Sequence, residues 1–308
     1  MSKTETIKDI SIIESVEPIK WDEAQEQFHA SLLNESQLSR IRKNKDCINV
    51  FRIQYRVDDR KVTGFIIQPA ELKEDHPVII WNRGGTMEVG VVKIGQIFIE
   101  PTIVELVKEG YILFLSQYSG QDGSGGSDQM GGDDLNDVLK LYTIAQELNY
   151  ADENRVGMYG ISRGGLMTYL ALAKVNWIKA AVTVGGRSNV KRAAEERSEM
   201  EKRFEQMFNA TNENYRKRSA VCWPDKFPDD VPVLLMHGAS DRRVNPLDSI
   251  DLSTKLLEHR KPHRLMLFEG ADHAITEQRG EMVSQLVTWC NRFVKEKESV
   301  PDMTPHGK

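Results

Sequence analysis

The chain has 308 residues, of which 40 % are hydrophobic and 28 % charged, and 41 Lys and Arg residues against 46 Asp and Glu residues give a formal net charge of −5. This composition is typical of a globular protein long enough to bury a large core, and its mild acidity argues against nucleic-acid partners, which need a basic surface. No apolar stretch is long enough to cross a membrane and the N-terminus lacks the apolar centre of a signal peptide, so we expect a cytoplasmic protein with no membrane contact.

Residues 1–47 predict a helical segment that covers the domain following it. Between residues 20 and 45 the chain is polar, and Trp21, Ala24, Phe28 and Leu32 recur at helical spacing. Residues 51–57 then alternate between apolar and polar, as in a half-buried strand, and residues 62–68 form a second strand after a turn at 58–61. We therefore predict an antiparallel hairpin that leads into the main domain.

From residue 78 onward, short apolar strands alternate with amphipathic helices. The predicted strands are residues 78–82, 112–116, 155–159, 180–184, 233–237 and 264–268. One helix is predicted over 133–149, and another begins near Asn245-Pro246, an N-cap followed by proline. This pattern predicts an α/β fold with a mostly parallel, doubly wound sheet. Residues 48–296 are assigned to this domain and residues 297–308 to a polar C-terminal tail.

A segment of about 45 residues, 186–230, is too long for a simple crossover between strands. Residues 191–205 within it are dense in mixed charge, which is most simply a solvated helix. In an α/β enzyme, however, an insertion at the ends of the strands often covers the substrate. We predict a small helical cap here.

The sequence Gly160-Ile161-Ser162-Arg163-Gly164 has the Gly-x-Ser-x-Gly pattern of a nucleophile elbow. It follows an apolar strand and opens a helix, which is the context that this sharp turn requires. The flanking glycines leave room for a strained serine. Ser162 is therefore the candidate nucleophile.

A serine hydroxyl needs a base to remove its proton and a carboxylate to orient that base. Asp241 follows the predicted strand 233–237, and His273 follows the last predicted strand, so both lie at the sheet edge where Ser162 emerges. Their chain order, Ser then Asp then His, is that of the α/β-hydrolases. Of the other histidines, His237 lies within a strand end.

An acyl-transfer enzyme also needs two donors for the oxyanion. One predicted donor is the backbone N–H of Arg163, and the second is the N–H of Arg83 or Gly84 in the loop after strand 78–82, between which the sequence does not choose. Trp223 is a candidate for an apolar acyl pocket, although a core tryptophan is an equal alternative. Tyr118 is a second candidate for substrate contact.

Several stretches of residues 50–296 resemble the hydrolase domain of the prolyl oligopeptidase family, serine peptidase family S9, and its acylaminoacyl-peptidase-like members. They are Trp81-Asn-Arg-Gly-Gly85, Tyr118-Ser-Gly-Gln-Asp-Gly-Ser-Gly-Gly126, Asp152-Glu-Asn-Arg-Val-Gly157, the Ser162 elbow, residues 237–246 and Asp272-His273. The resemblance implies an α/β-hydrolase fold with Ser162 as nucleophile, His273 as base and Asp241 as its orienting acid.

The chain departs from this family in two respects. Family peptidases usually carry a large N-terminal β-propeller, whereas only about fifty residues precede the hairpin here. Arg163 also stands where many members place an aromatic residue. Its guanidinium either binds a substrate carboxylate or forms an internal ion pair with Asp133, Asp134 or Glu269.

The sequence thus predicts a serine hydrolase that cleaves peptide or amide bonds, and the alternative is a carboxylesterase acting on small acyl esters. A non-catalytic hydrolase-fold binding protein is a third hypothesis. The expected partner is a small peptide or acyl-ester substrate, and a homo-oligomer is left open. No cofactor or metal is expected, since Cys47, Cys222 and Cys290 are too few and too scattered for a zinc site or a disulfide framework.

Overall fold

The computed structural model describes residues 3–29, 32–87 and 89–307, and one nine-stranded sheet organises them. The strands are β1 Ile13–Ile19, β2 Ile48–Val57, β3 Arg60–Pro69, β4 His76–Asn82, β5 Ile112–Ser116, β6 Ala151–Ile161, β7 Ile178–Val184, β8 Val233–Gly238 and β9 His263–Phe268. Their spatial order is β1-β2-β3-β5-β4-β6-β7-β8-β9. In this order, neighbouring strands from β1 to β5 pair antiparallel, and neighbouring strands from β5 to β9 pair in parallel. This arrangement confirms the predicted, mostly parallel sheet with an antiparallel hairpin.

The N-terminal segment differs from the all-helical prediction because it contains the edge strand β1. A register shift between Ile13 and Ser15 breaks the two-residue alternation, which hides this strand in the sequence. The predicted helix over 20–45 is two helices, and residues 30 and 31 and the side chain of Phe28 lie outside the described part. Trp21 is buried as expected, whereas Leu32 is exposed.

Helices cover both faces of the sheet. They are α1 Lys3–Lys8, α2 Glu23–His29, α3 Glu35–Asn44, α4 Ile94–Ile97, α5 Pro101–Lys108, α6 Leu135–Leu139, α7 Leu141–Glu147, α8 Arg163–Leu172, α9 Val190–Glu196, α10 Ser198–Phe208, α11 Asn212–Arg218, α12 Leu247–Glu258 and α13 Arg279–Cys290. The helix predicted over 133–149 is divided at Lys140 into α6 and α7. Within the described ranges, none of the helices has the length and apolar character needed to cross a bilayer.

The segment predicted as a cap is helical and folds onto the domain through one apolar face. It contains α9, α10 and α11 and two short 3₁₀ turns. Phe204 of the charge-rich helix α10 is fully buried and packs against Phe208 and Tyr215, with ring centroids 5.3 and 6.3 Å away. Arg192 pairs with Asp248, which ties α9 to α12.

Candidate active site

Ser162 lies in a strained turn between β6 and α8. Its φ of 58° and ψ of −117° fall where a non-glycine residue is unfavourable, by about 1–3 kcal/mol. A Cβ on Gly160 would lie 2.1 Å from the Gly164 carbonyl oxygen, and one on Gly164 would lie 2.0 Å from the Asn82 carbonyl oxygen. The strand–turn–helix predicted from the sequence is present, and both flanking glycines are required by close backbone contact.

The structure brings the predicted base and its acid together at the same edge of the sheet. His273 Nδ1 lies 2.6 Å from Asp241 Oδ2, which leaves Nε2 as the nitrogen available to a serine. Ser162 and His273 line one cavity. The imidazole packs over Gly185, where a Cβ would lie 3.0 Å from His273 Nδ1, and the neighbouring Val184 carbonyl accepts the Ser162 N–H at 2.8 Å.

Asp241 is buried, and its hydrogen bonds keep it ionised. Burial opposes the charge, but the hydrogen bonds from His237, His273 and the Val244 N–H outweigh it and hold the pKa of Asp241 well below its ordinary value. The Arg243 N–H also donates to Oδ1 at 2.7 Å. A carboxylate in this state can accept a hydrogen bond from the Nδ1–H of His273 throughout the reaction.

His237 is a residue of the site that the sequence argument set aside. Its Nε2 lies 3.0 Å from Asp241 Oδ2, and its Nδ1 lies 2.7 Å from Ser249 Oγ. Since the ionised carboxylate can only accept hydrogen bonds, His237 Nε2 is the donor to Asp241. His237 therefore positions Asp241. Its place at the carboxyl end of β8, four residues before Asp241, is the sequence signal for this role.

Both predicted sources of oxyanion donors lie beside Ser162. Arg163 is the first residue of α8, so its N–H has no acceptor within the helix. On the other side, a Cβ on Gly84 would lie 3.3 Å from Ser162 Cβ, so the loop after β4 contacts the nucleophile. The Arg83 guanidinium donates to the carbonyls of Gln117 and Gly84 and fixes this loop. The choice between the Arg83 and Gly84 N–H groups stays a prediction.

The Arg163 side chain forms an internal ion pair, one of the two alternatives drawn from the sequence. Its terminal nitrogens lie 2.6 Å from Asp128 Oδ2 and 2.6 Å from Asp134 Oδ2. Asp134 was among the predicted partners, whereas Asp128 was not. With 2 % of the side chain exposed, the guanidinium is committed to these carboxylates and does not face the cavity.

Tyr118 does not line the cavity and was wrong as a candidate for substrate contact. The ring is fully buried, with the guanidinium carbons of Arg83 and Arg163 at 4.6 and 4.4 Å from its centroid. Its hydroxyl donates to the Arg83 carbonyl at 3.0 Å, and burial raises its pKa to about 12. Tyr118 therefore connects the loop after β4 with the residue that follows the nucleophile.

Trp223 is a core residue, which decides between the two sequence alternatives. Its Nε1 donates to the Arg216 carbonyl at 3.1 Å, and its ring stacks on Phe227. The helical segment 186–230 likewise provides none of the residues that line the described cavity. Its contacts beside the site are the hydrogen bonds from the Arg187 N–H to the Ser162 carbonyl at 3.4 Å and from Arg203 to Thr86 Oγ1 at 3.1 Å.

The cavity beside Ser162 has a volume of about 1030 Å³ and is built by parts of the chain that the sequence analysis missed. Leu33, which precedes α3, and Gln37 and Arg40 of α3 contribute one wall, and the segment 89–103 contributes another. Leu33, Gln37 and Arg40 are four and then three residues apart, and this helical spacing is the sequence signal that could have indicated their common side. The apolar walls come from Leu33, Trp81, Val92, Ile99, Ile103 and Ile161. In none of the described ranges does a group of three His, Cys, Asp or Glu residues have an arrangement that could hold a metal ion.

This sheet, elbow and Asp–His pair define an α/β-hydrolase, and the comparisons identify its family. A profile of the Prolyl oligopeptidase family matches residues 100–297, and the chain belongs to this family of serine peptidases. It is 26 % identical over 248 residues to the uncharacterized peptidase YtmA of Bacillus subtilis, covering 79 % of this chain and 93 % of that protein. Over 60 % of the chain it is 26 % identical to a probable dipeptidyl-peptidase 5 of Emericella nidulans, of which it spans 27 %.

A solved structure confirms the fold. The acylaminoacyl peptidase of Pyrococcus horikoshii superposes with a TM-score of 0.73 at 23 % identity, over 88 % of this chain and 45 % of that one. The chain thus spans less than half of this structure and about a quarter of the fungal relative, but nearly all of YtmA.

Proposed function

We propose that the chain cleaves peptide bonds through an acyl-enzyme on Ser162. The observation that carries the proposal is the 2.6 Å contact between His273 and the buried Asp241, in the same cavity as the strained Ser162. Membership of a serine-peptidase family supports amide bonds as the substrate class. The alternative, a carboxylesterase, has no observation in its favour and is kept as an outcome of the test below.

The geometry supports a two-step acyl transfer. Ser162 Oγ attacks the carbonyl carbon while His273 Nε2 takes its proton, and Asp241 stabilises the imidazolium. The Arg163 N–H and that of Arg83 or Gly84 stabilise the oxyanion. His273 then gives its proton to the leaving nitrogen, which departs as the amine. A water molecule attacks the acyl-enzyme by the reverse proton path and releases the acid together with free Ser162.

The decisive experiment compares one acyl group presented as an activated ester and as an anilide, with Ser162→Ala as the control variant. We expect the wild-type protein to cleave both substrates and the variant to lose activity by a factor of about 10⁴ or more. Cleavage of the ester alone would identify an esterase. Anilide cleavage that survives in the variant would refute the role of Ser162. Failure of a fluorophosphonate to label Ser162 would support the third hypothesis, a non-catalytic binding protein.

We further propose a reducing compartment, in agreement with the expected cytoplasmic location. Cys47, Cys222 and Cys290 are all unpaired, and burial raises the pKa of the Cys290 thiol to about 12. Free thiols are typical of the cytoplasm. A homo-oligomer is left open, as it was from the sequence, and the peptide or ester nature of the physiological substrate stays a prediction.

A further inference from the structure

The charged side chains around the cavity are mostly basic, although the whole chain has a net charge of −5. Among the described residues that line it, five carry positive charge and one carries negative charge. They are Arg40, Arg83, Lys93, Arg243 and Arg279, and the carboxylate is Glu100. A concave, largely apolar site with this excess of cations favours a ligand that carries an anionic group.

Two of these cations are already bonded within the protein through their side chains. Arg83 is buried against the carbonyls of Gln117 and Gly84. Arg279 pairs with Glu100, the sole carboxylate among the described lining residues. Arg243 lies in the Asp241 loop, where its backbone N–H donates to Asp241 Oδ1, whereas its exposed side chain forms no ion pair with the described residues.

Arg40, Lys93 and Arg243 are the cations left for a ligand, and Arg40 and Lys93 are the two that lie beside the segment 94–101. Both are exposed, and neither forms an ion pair with any residue in the described part of the chain. Arg40 donates one N–H to the Ile99 carbonyl, which holds its guanidinium against the segment 94–101. Since a guanidinium has five N–H groups, donors remain for a carboxylate.

The position of these two residues relative to His273 indicates which part of a substrate they meet. His273 must deliver a proton to the leaving nitrogen, so the leaving group lies beside the His273 loop. Arg279 ties that loop to the segment 94–101, because it donates to the Ala274 carbonyl at 2.7 Å and pairs with Glu100. Lys93 precedes this segment and Arg40 contacts it. Both cations therefore border the cavity wall that Arg279 joins to the His273 loop, and we assign this wall to the leaving group.

Apolar side chains line the same cavity as the reacting groups and these two cations. Trp81, Val92 and Ile99 belong to this wall. Trp81 is anchored by its Nε1, which donates to Thr102 Oγ1 at 3.1 Å. A leaving group that fits these surroundings has apolar side chains and ends in a negative charge.

We propose that this cavity is a leaving-group subsite that binds a short apolar peptide segment by its free C-terminal carboxylate, through Arg40 and Lys93. The inference rests on the proposed function, and it names the substrate class of the same site. Hydrolysis of the amide bond consumes one water molecule, leaves the acyl part as a carboxylic acid and releases an amine that carries the bound carboxylate. The enzyme would thus remove short C-terminal fragments from peptides.

The test uses pairs of peptides that share one sequence and differ only in a C-terminal acid or amide. We expect the wild-type full chain to cleave the acid with a kcat/KM at least about tenfold higher than that of the amide. Added salt should reduce this ratio, because the preference depends on a charge-assisted contact. In the variants Arg40→Gln and Lys93→Gln the ratio falls toward one. The matched control is Lys43→Gln, an exposed cation on the same helix α3 that does not line the cavity, and its ratio stays at the wild-type value.

Two results would overturn this inference. One is equal cleavage of acid and amide by the wild-type protein, or a preference that persists in the double variant. The other is an amidated peptide with a glutamate side chain that is cleaved as well as the free acid, which would assign the cations to acidic side chains instead. In both cases cleavage still depends on Ser162, whereas failure of the proposed function would abolish Ser162-dependent cleavage of every peptide.

Discussion

Replacing Arg163 by methionine tests whether the residue after the nucleophile is structural. The guanidinium is 2 % exposed, and the carboxylates of Asp134 and Asp128 are 0 % and 5 % exposed. The substitution leaves both acids buried without their cation, and breaking such a pair costs about 3–5 kcal/mol. We expect the free energy of unfolding, measured by urea denaturation, to fall by that amount.

The matched control is Arg42→Met, which also removes an arginine bonded to two carboxylates. The Arg42 side chain is 45 % exposed, and those of its partners Glu26 and Glu35 are 27 % and 75 % exposed. We therefore expect the free energy of unfolding to fall by about 1 kcal/mol or less. Adding Asp134→Asn to Arg163→Met should restore about 1–3 kcal/mol, because it removes one unpaired buried charge. The reasoning is refuted if Arg163→Met costs no more than Arg42→Met. It is also refuted if the variant keeps its stability and loses only the preference for carboxylate substrates.

Two further predictions concern the elbow and the catalytic acid. Gly164→Ala should destabilise the fold by about 2–3 kcal/mol or more and reduce turnover, since its Cβ would meet the Asn82 carbonyl. Gly280→Ala in α13, where nothing lies within 4 Å of the new Cβ, should leave both unchanged or stabilise slightly. The lowered pKa of Asp241 stabilises the fold above about pH 4, and this contribution is lost as the pH falls. Between about pH 5 and pH 2 the free energy of unfolding should therefore fall less steeply for Asp241→Asn than for the wild-type protein. Equal slopes for the two proteins would contradict this.

The fold was largely predictable because its strands are short, apolar and separated by clear helical patterns. Residues 112–116 were predicted with the bounds of β5, and the other five predicted core strands differ from the observed ones mainly at their ends. The hairpin turn is shorter than predicted, since Val57 pairs with Arg60 across Asp58 and Asp59. The edge strand β1 was not predicted, because its bulge breaks the alternation of apolar and polar residues on which strand prediction depends.

The candidate reacting groups have a clearer sequence signal than the cavity around them. Ser162, Asp241 and His273 follow strands whose carboxyl ends share one sheet edge, so local pattern and topology together place them. No local pattern shows that the ring of Trp223 packs on Phe227, or that Tyr118 lies beneath two guanidinium groups. These contacts join residues distant in the chain, and a pocket residue and a core residue share the same apolar character.

The ion pair of Arg163 and the basic lining of the cavity have a common consequence for specificity. Because the guanidinium nearest in sequence to the nucleophile is paired with two aspartates, it cannot also bind a substrate carboxylate. Recognition of a negative charge must then come from outside the elbow, and in the proposed subsite α3 contributes Arg40 to it. Leu38 and Ile41 of this helix are buried, and Asn44 donates to the Phe98 carbonyl at 2.8 Å. Arg40 is thus presented by a helix anchored to the wall that it faces, which is the preorganisation that a charged subsite needs.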